Sequence, residues 1–231
     1  MIKILLVDDH KLFSQGIRAL LAEQQHCTVV GIATDGRQAV RMARDLKPDL
    51  VIVDANMPGM NGVEATQRIL QETPATRVIC LSMHAETQYV IGLLEAGGSG
   101  YVLKECARDD LDQAIQEVMK GHTYLSPAIA GVVVEAMRDK SSRTEPNVRT
   151  LLTDREREVL QLLAEGRAPR EIAALLHLSA KTIASHRDHI SEKLGIKSIA
   201  GLTKYAIREG LTSAEPPKKN SDGSVQDRGR A

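Results

Sequence analysis

Asp8, Asp9, Asp54, Ser82 and Lys104 share a position: each stands at the end of a short apolar run. MIKILLV leads into Asp8, Asp9 and His10. Leu50 to Val53 ends on Asp54, just before Asn56, Met57, Pro58 and Gly59. Arg77 to Leu81 ends on Ser82, and Gly100 to Leu103 ends on Lys104. Short apolar runs closed by turn residues read as buried strands. In open α/β sheets ligands bind at the carboxyl ends of the strands. Three carboxylates gathered there repel one another and call for a cation, and oxygen donors of this kind suit Mg²⁺. With its charge offset, Asp54 stays ionised and can attack phosphorus, as carboxylates do when they form aspartyl-phosphates. Ser82 and Lys104 can hold phosphoryl oxygens, and metal and ammonium together offset the transition-state charge.

Alternating elements must position these groups. Strand patterns fall near 2–8, 28–33, 49–53, 77–82 and 100–103, and helical patterns near 11–24, 36–46, 63–72, 87–96 and 107–120. Such βα alternation predicts a parallel sheet with helices on both faces and right-handed crossovers. The expected architecture is a doubly wound, flavodoxin-like five-stranded sheet of order 2-1-3-4-5. In that order the first and third strands are neighbours, so Asp8, Asp9 and Asp54 converge.

Residues 1 to about 120 resemble the receiver domain of two-component response regulators. The resemblance is carried by Asp8-Asp9, Asp54 with Met57-Pro58-Gly59, Ser82, Tyr101 and Lys104, in this order and each at a strand end. It implies that Asp54 is the phosphoacceptor. It implies that Asp9, Asp54 and the Asn56 carbonyl hold Mg²⁺, with Asp8 near it through water. Ser82 and Lys104 would bind the phosphoryl group, and Tyr101 would move with them.

Composition sets outer bounds. The 231 residues suit about two domains, and with one Phe and no Trp the cores must be aliphatic. No apolar run approaches the ~20 residues of a membrane span. Met1 leads straight into a strand pattern, so no signal peptide is expected. Cys27, Cys80 and Cys106 lack metal or disulfide spacing, which suits a reducing cytoplasm. Net charge is zero but uneven. Residues 1–125 carry 12 Lys+Arg against 16 Asp+Glu, and residues 148–211 carry 11 against 8. An acidic first half fits a metal and phosphate site. A mildly basic second half fits nucleic acid, though only weakly by charge alone.

Three features carry blander readings. His10 is expected to be a neutral or solvated histidine rather than a metal ligand. Gly97-Gly98-Ser99-Gly100 precedes a strand instead of opening a helix, so it reads as a turn and not a phosphate cradle. Asp109, Asp110 and Asp112 fall in the first turn of a helix, where the dipole favours them.

Residues 125–138 read as a further helix, capped by Ser126 with Pro127 in its first turn. The domain boundaries expected are 1–122, a linker helix and flexible linker over 123–150, a helical domain over 151–211, and a disordered tail over 212–231. In the helical domain Thr153 and Glu156 form a capping box, and Gly166 ends the helix it starts. Pro169 opens a second helix, and Ser179 caps a third that ends at Gly195. A fourth runs from about Ile199 to Glu209. A short helix, a tight turn and a longer helix make a helix-turn-helix, whose second helix enters the major groove.

LTDREREVLQLLAEG, EIAALLHLS and KTIASHRDHISEKLG resemble the LuxR-type effector domain. With the receiver this is the architecture of the NarL/FixJ class. On the third helix Ile183, Ile190 and Leu194 would pack inward, with Arg187 on the same side. The opposite side, with Lys181, Ala184, Ser185, Asp188 and Glu192, would face DNA. The resemblance maps base contacts to Ala184, Ser185 and Asp188, and the DNA-contacting set expected is Lys181, Thr182, Ala184, Ser185, His186, Arg187, Asp188 and Lys193. Ala184 departs from the lysine that the family often carries there, and Asp188 from one that some members carry. Two acidic residues near phosphates weaken the electrostatic term, leaving Lys181, Arg187 and Lys193 to supply backbone contacts. The fourth helix is the family's pairing surface, expected at Leu202, Tyr205 and Ala206.

These readings converge on a cytoplasmic transcription regulator switched by phosphorylation of Asp54. Its expected partners are a sensor histidine kinase, promoter DNA and, when phosphorylated, a second copy. It is not expected to be an enzyme. Two rivals stand beside this reading. An aspartate-nucleophile phosphohydrolase would usually place an Asp-x-Asp nucleophile on the first strand, where this chain has adjacent Asp8-Asp9. A protein-interaction module would keep the helix-turn-helix without DNA binding.

Overall fold

The computed structural model describes residues 1–83, 87–140 and 151–212. The chain opens with β1 (Ile2–Val7), α1 (Lys11–Ala22), β2 (Cys27–Ala33), α2 (Gly36–Leu46), β3 (Leu50–Asp54) and α3 (Gly62–Glu72). It continues with β4 (Arg77–Ser82), α4 (Thr87–Glu95), β5 (Gly100–Leu103), α5 (Ala107–Met119), β6 (Tyr124–Leu125) and α6 (Pro127–Lys140). All strand pairs are parallel, in the order β2-β1-β3-β4-β5-β6. The period of two in the strands divides the core. Leu5, Val7, Val51, Val53, Val78 and Cys80 pack on the α2, α3 and α4 side. Ile4, Leu6, Leu50, Ile52, Ile79 and Leu81 pack with Ile17, Leu21, Leu111 and Ile115 of α1 and α5.

The sheet exceeds expectation by one strand. Tyr124 and Leu125 pair with Gly100 and Tyr101 at the β5 edge, a match too short to show a strand period. The helix that follows belongs to the receiver rather than to a linker, because Ile129 and Val133 are buried in its core and α6 packs on α4. The first unit therefore extends through α6, well past residue 122. Ser126 precedes that helix as expected, but its hydroxyl is buried without a hydrogen-bond partner and does not cap it. Residues 141–150 of the linker and the tail beyond Thr212 lie outside the described residues.

The second unit comprises α7 (Asp154–Ala164), α8 (Pro169–Leu176), α9 (Ala180–Leu194) and α10 (Ile199–Arg208). Its start and stop signals act as read. Thr153 and Glu156 form the reciprocal capping box of α7, and Ser179 Oγ accepts from Thr182 N–H at 3.0 Å. Gly166 and Gly195 end their helices at positive φ. Val159, Leu160, Ile172, Ile183, Ile190, Leu202 and Ala206 form its core. Among the described residues no helix is long and apolar enough to cross a membrane.

Candidate functional site

Sheet register assembles the pocket. Val7 pairs with Val53, so Asp8 and Asp54 lie side by side at one edge. Asp54 pairs with Leu81, and Ser82 with Leu103, which brings Ser82 and Lys104 to the same edge. The turn after Asp54 must come very close to the strand it has just left. A Cβ on Gly62 would stand 2.2 Å from the Asp54 carbonyl oxygen, so only glycine lets α3 start there. Gly59 meets the turn's need for positive φ, at 83°.

Lys104 Nζ donates to Asp8 Oδ2 and to Asp54 Oδ2, each at 2.7 Å. It also lies 4.5 Å from the centre of the Phe13 ring. The Asn56 N–H donates to Asp54 Oδ1 at 3.2 Å, and the His10 N–H to Asp8 Oδ1 at 2.7 Å. The His10 ring is not turned away to solvent: its Nδ1 lies 3.0 Å from Asp9 Oδ1 and 3.3 Å from Asp8 Oδ1. Ser82 and Tyr101 are fully buried on neighbouring strands. The loop after Ser82, which the switch reading invokes, includes residues 84–86 and lies outside the described residues.

The pocket holds more negative than positive charge. Burial pushes the Asp54 carboxyl up to about 6, with Asp8 adding to the rise and Lys104 opposing it. Burial also raises Asp9, against the pull of His10. For Lys104 burial acts against the ammonium, but Asp54 and Asp8 outweigh it and its pKa rises. Asp9 Oδ1 is buried and accepts no hydrogen bond. Ligand atoms of Asp8, Asp9, His10 and Asp54 lie within 4.8 Å of one another. An orphaned carboxylate oxygen among hard oxygen donors is what a divalent cation would satisfy, so these residues fit Mg²⁺.

The helix-turn-helix places its residues largely as expected. Ile183 and Ile190 are buried and Leu194 packs against the core. Lys181, Ser185, Asp188 and His189 are exposed, while Thr182, Ala184, His186 and Arg187 are half-buried. Both of the later basic side chains already have carboxylate partners. Arg187 pairs with Asp188 at 3.1 Å, and Lys193 with Glu156 of α7 at 2.7 Å. The expected pairing surface is corrected at Leu202 and Ala206, while Tyr205 stays half-buried. Leu202 and Ala206 are buried in the core of this domain, and Tyr205 packs against it. Their spacing is that of the inward stripe of an amphipathic helix, so α10 spends these residues on α7. Its exposed residues are Ile199, Ala200, Lys204 and Arg208.

The receiver and α7 share a polar contact that sequence reading did not find. Arg37 of α2 pairs with Glu158 at 2.5 Å and donates to the Leu175 carbonyl at 2.6 Å. Asn61 Nδ2 donates to Gln161 Oε1 and to the Leu211 carbonyl, both at 3.3 Å. The Gly59 N–H donates to Glu165 at 3.2 Å, and the Tyr89 hydroxyl to the Thr212 carbonyl at 3.1 Å. Glu64, Arg68, Arg157 and Glu158 meet at the centre of this contact. Among the described residues no hydrogen bond or ion pair joins α9 to the receiver. Nothing local marks it in the sequence: Glu158 and Gln161 of α7 are buried here although their types suit a solvated helix face.

Comparison with known proteins agrees with this geometry. The model described as response regulator receiver domain matches residues 4–116. That described as bacterial regulatory proteins, luxR family, matches residues 150–206. The transcriptional regulatory protein MctR of Rhizobium johnstonii is 34% identical over 212 residues, covering 92% of this chain and 96% of that protein. The nitrate/nitrite response regulator NarL of Escherichia coli K12 is 35% identical over 195 residues, covering 84% of this chain and 90% of its own. A structure of RcsB from Salmonella enterica, bound to a promoter with the phosphomimetic BeF3⁻, matches with a TM-score of 0.59 at 28% identity, covering 91% of this chain and 99% of that one. A parallel α/β receiver with its acidic edge, followed by a LuxR-type helical domain, places this chain in the response regulators of the NarL type, a family of transcription regulators rather than of enzymes.

Proposed function

We propose that Asp54 is the phosphoacceptor of a switch that controls binding to promoter DNA, with a sensor histidine kinase as donor, in the cytoplasm. The observation that carries this reading is the meeting of Asp8, Asp54 and Lys104 at one sheet edge, with 2.7 Å between the ammonium and each carboxylate. Asp9, Asp54 and the Asn56 carbonyl would hold Mg²⁺, with Asp8 beside it, and the ion would supply positive charge that keeps Asp54 ionised. A carboxylate oxygen of Asp54 attacks phosphorus as the bond from phosphorus to the donor nitrogen breaks. Lys104 then exchanges its Asp54 partner for phosphoryl oxygens, and Ser82 donates to another. Tyr101 follows the vacated space, and α4 shifts with it.

The contact between the receiver and α7 supplies the off state. It fixes the DNA-binding domain without covering the outer face of α9, so inhibition acts by holding the domain in place. Release lets two copies pair and read two half-sites, with Lys181, Thr182, Ala184, Ser185, His186, Arg187 and Asp188 toward the groove. Arg187 and Lys193 must first leave their carboxylate partners, which lowers their contribution to affinity. The test has two arms. Acetyl phosphate with Mg²⁺ should label the wild type and not Asp54→Asn. In gel shifts at one salt concentration, phosphorylated protein and the fragment 148–231 should bind promoter fragments more tightly than unphosphorylated protein. Equal labelling of Asp54→Asn would sink the acceptor assignment, and equal DNA binding by all three forms would sink the switch.

A further inference from the structure

We propose that His10 is a protein ligand of the metal in this pocket, and that its nitrogen tilts the site from Mg²⁺ toward first-row transition ions such as Mn²⁺. The inference rests on the reading of the pocket as a metal site and adds one donor to it. Donors ~2.1 Å from an octahedral ion stand ~3.0 Å apart when adjacent and ~4.2 Å apart when opposite. The His10 Nδ1 atom lies 3.0 Å from Asp9 Oδ1, 3.3 Å from Asp8 Oδ1 and 3.9 Å from Asp54 Oδ2. The first distance matches adjacent donors to one ion, with Asp8 Oδ1 close beside them, while Asp54 Oδ2 is held by Lys104. At 3.0 Å the shortest contact suits either a shared ion or a proton on the ring, and metal titration separates the two.

The backbone aims this ring. His10 sits just before α1 in an extended conformation, with φ −90° and ψ 95°. Its N–H donates to Asp8 Oδ1 at 2.7 Å, and its carbonyl accepts from Ser14 N–H at 3.0 Å and from Ser14 Oγ at 3.1 Å. Lys104 engages the Oδ2 atoms of Asp8 and Asp54. That leaves Asp8 Oδ1 and Asp9 Oδ1 on the His10 side of the pocket. The ring is 50% exposed, so an ion can enter beside it from solvent. Imidazole is a poor partner for Mg²⁺, which prefers oxygen and keeps its waters, and a good one for later divalent ions.

The competing role for His10 is a cationic imidazolium that offsets the carboxylates, and it predicts the opposite sign. Removing a ligand weakens Mn²⁺ binding, whereas removing a positive charge strengthens the binding of every cation. The full-length protein, His10→Ala, His10→Gln and Asp9→Ala should be titrated with Mn²⁺, read by the loss of the free-ion EPR signal, and with Mg²⁺ in competition. Both His10 variants should lose at least the ~10-fold in Mn²⁺ affinity that an outer-shell partner is worth, with a smaller change for Mg²⁺. Pulsed EPR of the Mn²⁺-loaded wild type should show a directly bound nitrogen whose coupling changes on ¹⁵N-histidine labelling, a readout that needs no variant to fold. Unchanged or higher Mn²⁺ affinity in both His10 variants, with no histidine coupling in the wild type, overturns the assignment of His10 alone. Asp9→Ala binding both ions like the wild type overturns the pocket itself, and the His10 ligand with it.

Discussion

The pocket at the sheet edge and the contact between the domains are both buried clusters of charge, but they are balanced differently. In the pocket Asp8, Asp9 and Asp54 face Lys104 and a half-exposed histidine. In the contact Glu64, Asp154, Glu158 and Glu165 face Arg37, Arg68, Arg155 and Arg157. A buried ion pair roughly breaks even against its desolvation cost, so neither cluster is explained by stability. The shortage of positive charge in the pocket is what leaves room for a cation and a phosphoryl group. The contact satisfies itself by pairs that can separate into water, since the Arg37, Arg68 and Arg155 side chains are about one-third exposed. A site that must recruit charge is left short of it, and a latch that must open is left close to neutral.

The sharpest way to break this comparison is to remove cationic charge from the pocket. Lys104→Met leaves two buried carboxylates facing each other. It should destabilise the metal-free receiver by up to ~3–5 kcal/mol near neutral pH, as seen in denaturant melts. Asp54 is pushed up to about 6 even with Lys104 lowering it, so without the ammonium its carboxyl lies higher still and the loss should already shrink as pH falls toward that value. A variant as stable as the wild type at neutral pH would mean that the carboxylates do not need the ammonium.

Glu64 tests the balance of the latch. Burial drives its carboxyl up to about 7, with Arg68 and Arg157 lowering it and Glu158 and Asp154 raising it. Neither Glu64 oxygen has a hydrogen-bond partner. A raised acid pKa means that the docked state binds the extra proton. Its stabilising effect is full below the ordinary value of 4.5 and is lost as pH rises through about 7. At ~1.4 kcal/mol per unit, the change is at most roughly 3 kcal/mol. Protease cleavage in the linker should therefore quicken as pH rises across this window, and Glu64→Gln should flatten the profile. A wild-type profile already flat would place Glu64 in the receiver core alone.

Asp9→Asn should move stability the other way. Burial and Asp8 raise the Asp9 pKa, so its ionised form is disfavoured in the folded receiver and its share of stability falls as pH rises. Removing the charge should stabilise the metal-free protein by ~0.5–2 kcal/mol near neutral pH, at the expense of metal binding. Destabilisation by Asp9→Asn would show that its carboxylate is already satisfied.

The pocket was legible because each of its residues closes a strand, and strand ends share an edge whatever the helices do. The inward stripe of α9 was legible for the same kind of reason, a local period. Leu202, Tyr205 and Ala206 showed the same period, yet the resemblance assigned them outward, and the period prevailed. β6 was too short to show a period, and α6 looked like a linker because nothing local marks Ile129 and Val133 as receiver core. The latch was illegible since it joins residues about a hundred apart, such as Asn61 with Gln161, through polar side chains that look solvated in sequence. The aim of His10 was equally hidden, being set by the backbone turn before α1.

The smallest effect expected joins the two clusters. Tyr89 lies on α4, almost wholly buried in the receiver core, and its hydroxyl donates to the Thr212 carbonyl at 3.1 Å. Thr212 follows Leu211, which is buried in the effector core and whose carbonyl accepts from Asn61. A shift of α4 that accompanies phosphoryl binding at Ser82 would carry Tyr89 with it and pull this hydroxyl from its acceptor. Tyr89→Phe removes the hydroxyl and keeps the ring. One neutral hydrogen bond is worth ~0.5–1.5 kcal/mol, so the docking equilibrium should weaken by roughly two- to tenfold. Unphosphorylated Tyr89→Phe should bind promoter fragments more tightly than the unphosphorylated wild type by up to that factor. The two phosphorylated proteins, already released, should bind alike. If the variant instead gains nothing when unphosphorylated, the hydroxyl carries no coupling. The path from pocket to latch would then run through the turn that links Asp54 to Gly59 and Asn61, the residues that touch Glu165 and Gln161.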